Sequence, residues 1–487
     1  MAPQKLTEYE RRRLENIRRN DEMLASLKIH SKVTELSASA KRQRAQTKSY
    51  KVSPEKKPKT ETPVVIRRSL RTRGMPPDAS TAGGLKDDFD ETQTRKNAKS
   101  NPKIEVSARE RGPITMREAS SGESSCQKLA ETIIGAFRRS QSCCGDGPLE
   151  GVGENESFDY PIRVSGSVDL ESLRLEPENI ARVVPGRIMA VKFFPSADMT
   201  MIAVGNKFGN VGFWDVGAKR EDGYGIYLYR PHPGPVSGIA VQPFSMSKVY
   251  TSCYHGYLRL MDVEKEVFDL LYVSDHAIFS ISQRPKDFKS LFFSEGHGVL
   301  KMWDERAGLS TSSWTLHEDR INSIDFIPHN NNIIATSSTD GNAYIWDLRN
   351  LDANKPNFLK KVSHNRAVHS AYFSSSGICL ATTSTDDKIG LATGANFEDI
   401  SMIHHHNQTG RWISSFKAIW GWDDSCLFIG NMKRGVDVIS TVHRRNIWTL
   451  HSPEMSAIPC RFDAHPYRIG MLAGATSGGQ VYIWTTC

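Results

Sequence analysis

The sequence predicts an all-β fold, a seven-bladed propeller, because three features recur together along the chain. Seven segments align on the end of an alternating apolar strand: VGFWDV to Val216, LRLMDV to Val263, LKMWDER to Arg306, AYIWDLR to Arg349, IGLATG to Gly394, VDVIST to Thr441 and VYIWTTC to Cys487. Trp214, Met261, Trp303, Trp346, Ala392, Ile439 and Trp484 hold equivalent positions, at intervals of 47, 42, 43, 46, 47 and 45 residues. A His or Arg opens the loop before each unit: Arg187, His232, His276, His317, His364 and the run His404, His405 and His406, with a less distinct seventh opening near His451. A period in the forties, with Trp-Asp closing a strand, is the signature of the WD-repeat β-propeller, in which each unit is one four-stranded blade.

Within a unit the first strand (MAVKFF, SGIAVQ, IFSISQ, NSIDFI, HSAYFS, SSFKAIW) precedes a polar turn. The second strand ends in a small-polar segment such as ATSSTDGN or ATTSTDDK. In blade four this places His317, Asp340, Ser337 or Ser338, and Trp346 where they can form a buried chain of hydrogen bonds, which is structural and not catalytic. Blade five has Ala392 in place of the Trp and blade six has lost the Trp-Asp pair, yet neighbours can supply the core of a degenerate blade. The seventh blade lacks an outer strand in sequence order, and residues 180–184, IARVV, are positioned to supply it. The propeller then spans 166–487, and Cys487 becomes structural.

The formal charge of +8 conceals a division. Residues 1–150 carry 31 basic and 20 acidic side chains and four of the 43 aromatics, a composition too poor in apolar groups to offset ordering entropy. Residues 1–30 are the exception. Thr7 and Glu10 fit a capping box, and Leu14, Ile17, Leu24 and Leu27 recur at helical spacing among arginines, which predicts a basic amphipathic helix. Residues 31–165 read as a disordered basic linker. Its clusters at Lys41, Arg42 and Arg44, at Lys56, Lys57 and Lys59, and at Arg67, Arg68, Arg71 and Arg73 suit nuclear import or phosphate contact. Eight scattered Cys without a CxxC pair point to reduced thiols, and no apolar run approaches the ~20 residues of a membrane span. The N-terminal stretch lacks the apolar centre of a secretion signal.

No phosphate-binding loop, GxGxxG after a strand, HExxH or GxSxG is present, so the expectation is a non-enzyme with no cofactor, catalytic residue or small-molecule substrate. His404, His405 and His406 point in different directions on an extended loop and lack a completing ligand, so no metal site is expected. Two features instead suggest macromolecular binding. The doubled WDxR, Trp303 to Arg306 and Trp346 to Arg349, brings two guanidiniums to one rim, suited to planar pairing with carboxylates and carbonyls. On the opposite face, the loops carry Arg187, Lys207, Arg320, Arg366, Lys388, Arg411, Lys433 and Arg434, a focus of positive charge on a domain whose net charge is −3. Asp340, Asp386 and Asp387 share those loops. The loop 404–420 places Gly410, Arg411 and Trp412 at its tip. Arg411 and Trp412 either contact phosphate and bases, or Trp412 packs into room left by Ala392.

The segments TEYERRRLENIRRNDEMLASL, PGRIMAVKFFP, the doubled WDxR and HNQTGRW together resemble the WD-repeat-containing protein 76 family, which is related to the propeller subunit of the damaged-DNA-binding complex. The resemblance covers the N-terminal helix and residues from about 170 to 487. It implies a nuclear, chromatin-associated propeller that binds DNA and acts in the DNA damage response. It further implies that Arg306 and Arg349 face the adaptor of a cullin-4 ubiquitin ligase for which the protein is a substrate receptor. By position, Gly410, Arg411 and Trp412 fall where the damaged-DNA receptor inserts an aromatic hairpin. Gly410 stands in the place of its wedging aromatic, so the implied contact is with DNA in general. The other reading is a chromatin scaffold that takes histone or other peptides in the central channel, with DNA contact only from the basic tail.

Overall fold

The computed structural model describes residues 112–120, 128–135 and 164–486, with breaks at 219–224, 243–245, 286, 353–355 and 411–412, together with Gly83–Gly84 and five positions between 11 and 22. The chain divides into two units, residues 1–75 and 76–487. In the first, Arg11, Glu15, Arg18, Arg19 and Glu22 are helical and exposed, and Arg18 pairs with Glu22 at 3.3 Å. The apolar face and capping box expected there, the basic clusters, Cys143 and Cys144, and Cys487 lie outside the described residues.

The second unit contains seven sheets, which are the seven blades: five are four-stranded and antiparallel, and two carry a short fifth strand, Ile114–Thr115 in blade two and Gly83–Gly84, parallel to Ala181 and Arg182, in blade seven. Their third strands are Val211–Asp215, Tyr257–Asp262, Val299–Asp304, Asn342–Asp347, Lys388–Thr393, Val436–Ser440 and Gln480–Thr486, matching the seven aligned segments. The position that repeats as Trp always faces an aliphatic residue of the second strand: Ile202 against Trp214, Leu291 against Trp303, Ile334 against Trp346 and Leu472 against Trp484. The degenerate blades keep the register, with Leu380 against Ala392 and Leu427 against Ile439. The pairing therefore depends on the alternation of apolar residues, and the indole is an addition to it. Ala392 lies in a buried cluster with Phe373 and Leu380, and Phe397 packs against that cluster.

Closure follows the expected route but uses a longer strand. Leu173–Arg182 runs antiparallel to Gln480–Thr486, from Leu173 opposite Thr486 to Arg182 opposite Gln480, with an irregularity between Leu175 and Ile180. The seventh blade is completed by Pro459–Ala464 and Leu472–Thr476. Neighbouring blades are also stitched along their inner strands. Asp463 of blade seven accepts from Phe193 N of blade one at 2.8 Å, and Asp325 of blade four accepts from Phe373 N of blade five at 2.7 Å.

Part of the stretch read as a disordered linker is folded. Ile114–Thr115 pairs with Val267 and Phe268, adding a fifth strand to blade two. Met116–Ala119 then forms a helical turn with a capping box, in which Thr115 Oγ1 accepts from Glu118 N and the Glu118 carboxylate accepts from Thr115 N, both at 3.2 Å. Residues 128–135 are helical. Met116, Leu129 and Ile133 are fully buried, in one cluster with Phe194, Phe213, Tyr229 and Phe268. The wholly buried Arg259 of blade two donates to Gly112 O at 2.8 Å and Phe268 O at 3.2 Å, anchoring the segment. Average composition hides this clasp because its few apolar residues, spaced first as strand and then as helix, complete a core that the propeller supplies.

Replacing Ile133 with Ala should cost about 2–5 kcal/mol of unfolding free energy, the range for truncating a fully buried aliphatic residue. Denaturant titration checks this, and a loss below about 0.5 kcal/mol would show that residues 128–135 do not pack on the propeller.

Candidate functional site

The sequence-predicted site residues occupy two opposite ends of the blades. At one end are the loops between blades and the turns between second and third strands. Arg187, Arg320 and Arg366 precede the inner strands Ile188–Phe193, Ile321–Phe326 and Val368–Phe373, while Lys207, Lys388, Lys433 and Arg434 occupy second-to-third-strand turns or their borders. Arg320, Arg366, Lys433 and Arg434 are exposed, and Lys207 lies over the Phe208 ring at 4.5 Å. Arg411 and Trp412 fall outside the described residues. Their loop is anchored on both sides: Asn407 Nδ2 donates to Ser384 O at 2.8 Å, and Ser414 Oγ donates to Ile188 O at 3.3 Å.

The second-to-third-strand turns at this end are built on left-handed residues, mostly glycine. A Cβ at Gly298 would lie 1.9 Å from His317 O, and one at Gly479 1.8 Å from Val184 O, so the turn packs directly on the next blade's opening loop. In blades five and six the equivalent left-handed positions hold Asp387 (φ 62°) and Arg434 (φ 63°). The blade-six turn reproduces that of blade one: Asn206 Oδ1 accepts from Phe208 N and Asn210 N, and Asn431 Oδ1 accepts from Lys433 N and Gly435 N, all at 2.9 Å. Arg434 thus stands where blade one has Gly209. It adds a cation to the rim at the cost of a strained backbone.

Three acidic residues of these loops, Asp340, Asp386 and Asp387, are held by local hydrogen bonds, whereas Glu318 and Asp319 beside Arg320 are exposed. His317 Nδ1 meets Asp340 Oδ2 at 2.8 Å and its Nε2 meets Thr336 Oγ1 at 2.7 Å, while Trp346 Nε1 donates to the same hydroxyl at 2.8 Å. The hydroxyl in this chain is therefore Thr336, neither Ser337 nor Ser338. Thr336 shares a face of the strand with Ile334, the residue opposite Trp346, whereas Ser337 points the other way and bonds Ser323 at 2.7 Å. In blade five His364 likewise bonds Thr382 at 2.8 Å and Asp386 at 3.3 Å, without an indole. Asp387 accepts from Asn407 N at 2.9 Å and Gln408 Nε2 at 2.7 Å. Burial raises the Asp340 carboxyl, but the hydrogen bond and charge of His317 outweigh it and hold it below its ordinary value. Of the three consecutive histidines, His404 and His406 are exposed and His405 is buried between Asn407 at 2.7 Å and Asp437 at 3.2 Å. Among the described residues no cluster of metal ligands forms.

Sequence reasoning missed a second group of cations, inside the ring. The central channel, about 450 Å³, is lined by inner-strand residues that include Lys417 and Arg461. Their alternation resembles that of any half-buried strand, so nothing in the local pattern distinguishes them. Arg461 donates through Nε to Met189 O at 3.0 Å and through Nη1 to Ser415 O and Cys460 O. Lys417 Nζ donates to Asn322 O at 3.2 Å.

At the other end, the Asp of each WDxR builds its own turn. Asp304 accepts from Arg306 N at 2.9 Å and takes the guanidinium through both oxygens, at 3.2 and 2.9 Å. Asp347 does the same with Arg349, at 3.0, 3.0 and 2.7 Å. The hydrogen bonds from Arg306 pull the Asp304 carboxyl down to about 2. The two arginine side chains remain 66% and 62% exposed, so a partner can reach both while Asp fixes the planes of their guanidiniums.

Two predictions follow from these contacts. Thr336→Val should destabilise the propeller by about 1–3 kcal/mol by orphaning His317 and Trp346, with Ser338→Ala costing clearly less in parallel melts. Because the folded Asp340 carboxyl is depressed, its contribution is present above about pH 4 and lost as pH falls through the folded value. The stability gap between the native chain and Asp340→Asn should therefore hold steady from pH 7 to 5 and shrink below 4, as read by urea midpoints.

Residues 308–347 match the family described as WD domain, G-beta repeat. The chain is 27% identical to WD repeat-containing protein 76 of Xenopus laevis, over 98% of this chain and 80% of the relative. It is 26% identical to the protein of that name from Mus musculus, over 98% of this chain and 74% of the relative. It is 28% identical to DNA damage-binding protein cmr1 of Neurospora crassa, over 99% and 100% of the two. The resemblance to the WD-repeat-containing protein 76 family thus holds over nearly the whole chain and takes in both the propeller and the segment before it.

Proposed function

We propose that this protein is a nuclear, non-catalytic WD-repeat protein of the DNA damage response. It binds DNA through the basic rim and recruits a cullin-4 ubiquitin ligase adaptor through Arg306 and Arg349, acting as a substrate receptor on chromatin. The observation that carries the DNA reading is the gathering of Arg187, Lys207, Arg320, Arg366, Lys388, Lys433 and Arg434 on loops of one end, while Asp340, Asp386 and Asp387 there are consumed by His and backbone partners. The seven cations outnumber the acidic residues Asp340, Asp386, Asp387, Glu318 and Asp319 of these loops, and phosphates are the natural complement of the positive excess. Similarity to proteins named for binding damaged DNA agrees with it. Arg411 and Trp412 belong to this rim by sequence position. The ligase reading rests on the matched bidentate geometry of the two WDxR arginines and their exposure. Histones are secondary partners in this scheme, met where the protein sits on DNA.

Arg366→Ala combined with Lys433→Ala should weaken binding to a short duplex across sequences and reduce the slope of log affinity against log salt by about 1 to 2. Fluorescence anisotropy at several salt concentrations measures both, and an unchanged slope would remove these residues from the interface. Arg434→Gly should stabilise the fold by about 1 kcal/mol while also lowering duplex affinity, exposing the exchange of stability for charge at that turn. Arg306→Ala with Arg349→Ala should abolish co-purification of the ligase adaptor from nuclear extract and leave duplex affinity unchanged. Retained co-purification would refute the adaptor assignment.

A further inference from the structure

The channel cations form a group that the rim does not explain. Lys417 of blade six and Arg461 of blade seven line the channel, and the exposed Arg320, from the loop opening blade four, lies over Phe279 of its wall at 5.3 Å. They are close enough to perturb one another. Burial first, then the charges of Arg461 and Arg320, pulls Lys417 down to about 7, and burial followed by Lys417, Arg461 and Arg320 pulls His369 to about 3. Arg187 adds to the positive potential at Arg461.

Among the described residues no carboxylate forms an ion pair with Lys417, Arg461 or Arg320. The acidic residues on the channel wall, Asp325 and Asp463, are committed to backbone N–H groups of the next blade, and Asp463 also pairs with Lys192 at 2.9 Å. The cations retain donors beyond the contacts that hold them. Lys417 spends one of its three protons on Asn322 O. Arg461 uses Nε and Nη1 on carbonyls, and Arg320 uses Nε on Thr339 Oγ1 at 3.0 Å while stacking over Phe279 at 5.3 Å. Uncompensated charges in a partly desolvated cavity are costly, and an anion accepting their remaining hydrogen bonds relieves that cost.

We propose that the end of the central channel bounded by Lys417, Arg461 and Arg320 is a binding site for a single phosphate monoester, carried by the side chain of a phosphorylated peptide. A monoester matches the site better than a carboxylate because its two negative charges and three equivalent oxygens suit several cations approaching from different blades. Duplex DNA is excluded from the site by size. A channel of about 450 Å³ admits a side chain, whereas a double helix, whose major groove alone is about 12 Å wide, can only lie across the rim. Arg320 is shared with the rim, but Lys417 and Arg461 lie inside the channel beyond the reach of a duplex, and the site stands whether or not the rim binds DNA.

The test uses the full chain at pH 6.5, titrated by calorimetry with N-acetyl-O-phosphoserine amide, N-acetylserine amide, inorganic phosphate and, by anisotropy, a short DNA duplex. Lys417→Gln removes one cation, and Lys417→Arg restores it. Thermal melts of both confirm folding. The proposal expects the phosphoserine probe to bind at least tenfold more tightly than the serine probe. It also expects that preference to be lost in Lys417→Gln and recovered in Lys417→Arg, with duplex affinity within twofold throughout. Equal binding of the two serine probes, or a preference untouched by Lys417→Gln, would overturn it. So would a parallel loss of duplex affinity, which would reassign Lys417 to DNA contact. Inorganic phosphate binding as tightly as phosphoserine would overturn the peptide source. Should Lys417→Gln fail to fold, competition decides: phosphoserine that displaces duplex from the native chain refutes a separate site.

Discussion

Every blade depends on the closure of the ring, and closure rests on one antiparallel pairing between strands about 300 residues apart, Leu173–Arg182 and Gln480–Thr486. A propeller has no other way to remove its terminal edges, because each blade's apolar faces are buried only against its two neighbours. The inner-strand contacts from Asp463 to Phe193 and from Asp325 to Phe373 fix the neighbour spacing around the ring. With the ring shut, loops from different blades meet at fixed angles. Arg320 of blade four and Arg461 of blade seven can then both act on Lys417 of blade six.

The degenerate blades show how little of the repeat is needed for folding and how much is free for other uses. Blade five keeps the His364–Thr382 bond and the strand register with Ala392 in the Trp position. Blade six keeps the asparagine turn of blade one while replacing the left-handed glycine with Arg434. Both blades border the loop that carries Arg411 and Trp412, and both put a charged side chain where the well-formed blades have none. The departures from the repeat therefore cluster at one part of the rim. Sites where a sequence breaks its own local rule are where function is expected to have displaced stability.

The propeller was legible because its signals are local and repeated. Alternation, the Trp-Asp ending and the loop His each recur at a fixed period, so the third strands could be placed to within a residue or two. The rim cations and the two WDxR arginines were legible for the same reason, since loop position follows from strand order. The clasp was not, because Ile114, Met116, Leu129 and Ile133 are few and complete a core that belongs to distant residues such as Phe213 and Phe268. Lys417 and Arg461 were missed because an inner-strand position reveals nothing about which cations meet in the channel. The choice of Thr336 over Ser337 or Ser338 turned on strand parity, which spacing alone left open.

The closure strand also sets a timetable. At a synthesis rate of about 5–20 residues per second, roughly 15–60 seconds separate the emergence of Leu173–Arg182 from that of its partner. During that interval the blades already made have one another, but the strand at 173–182 has no sheet to join. Its Leu173, Leu175 and Ile180 are destined for full burial, and an unpaired edge carrying such residues is a hazard for aggregation. The clasp at 112–120 and 128–135 is under no such delay, since blades one and two follow it directly in the chain. The N-terminal side of the propeller can thus be secured early, while the ring stays open until the last blade is synthesised.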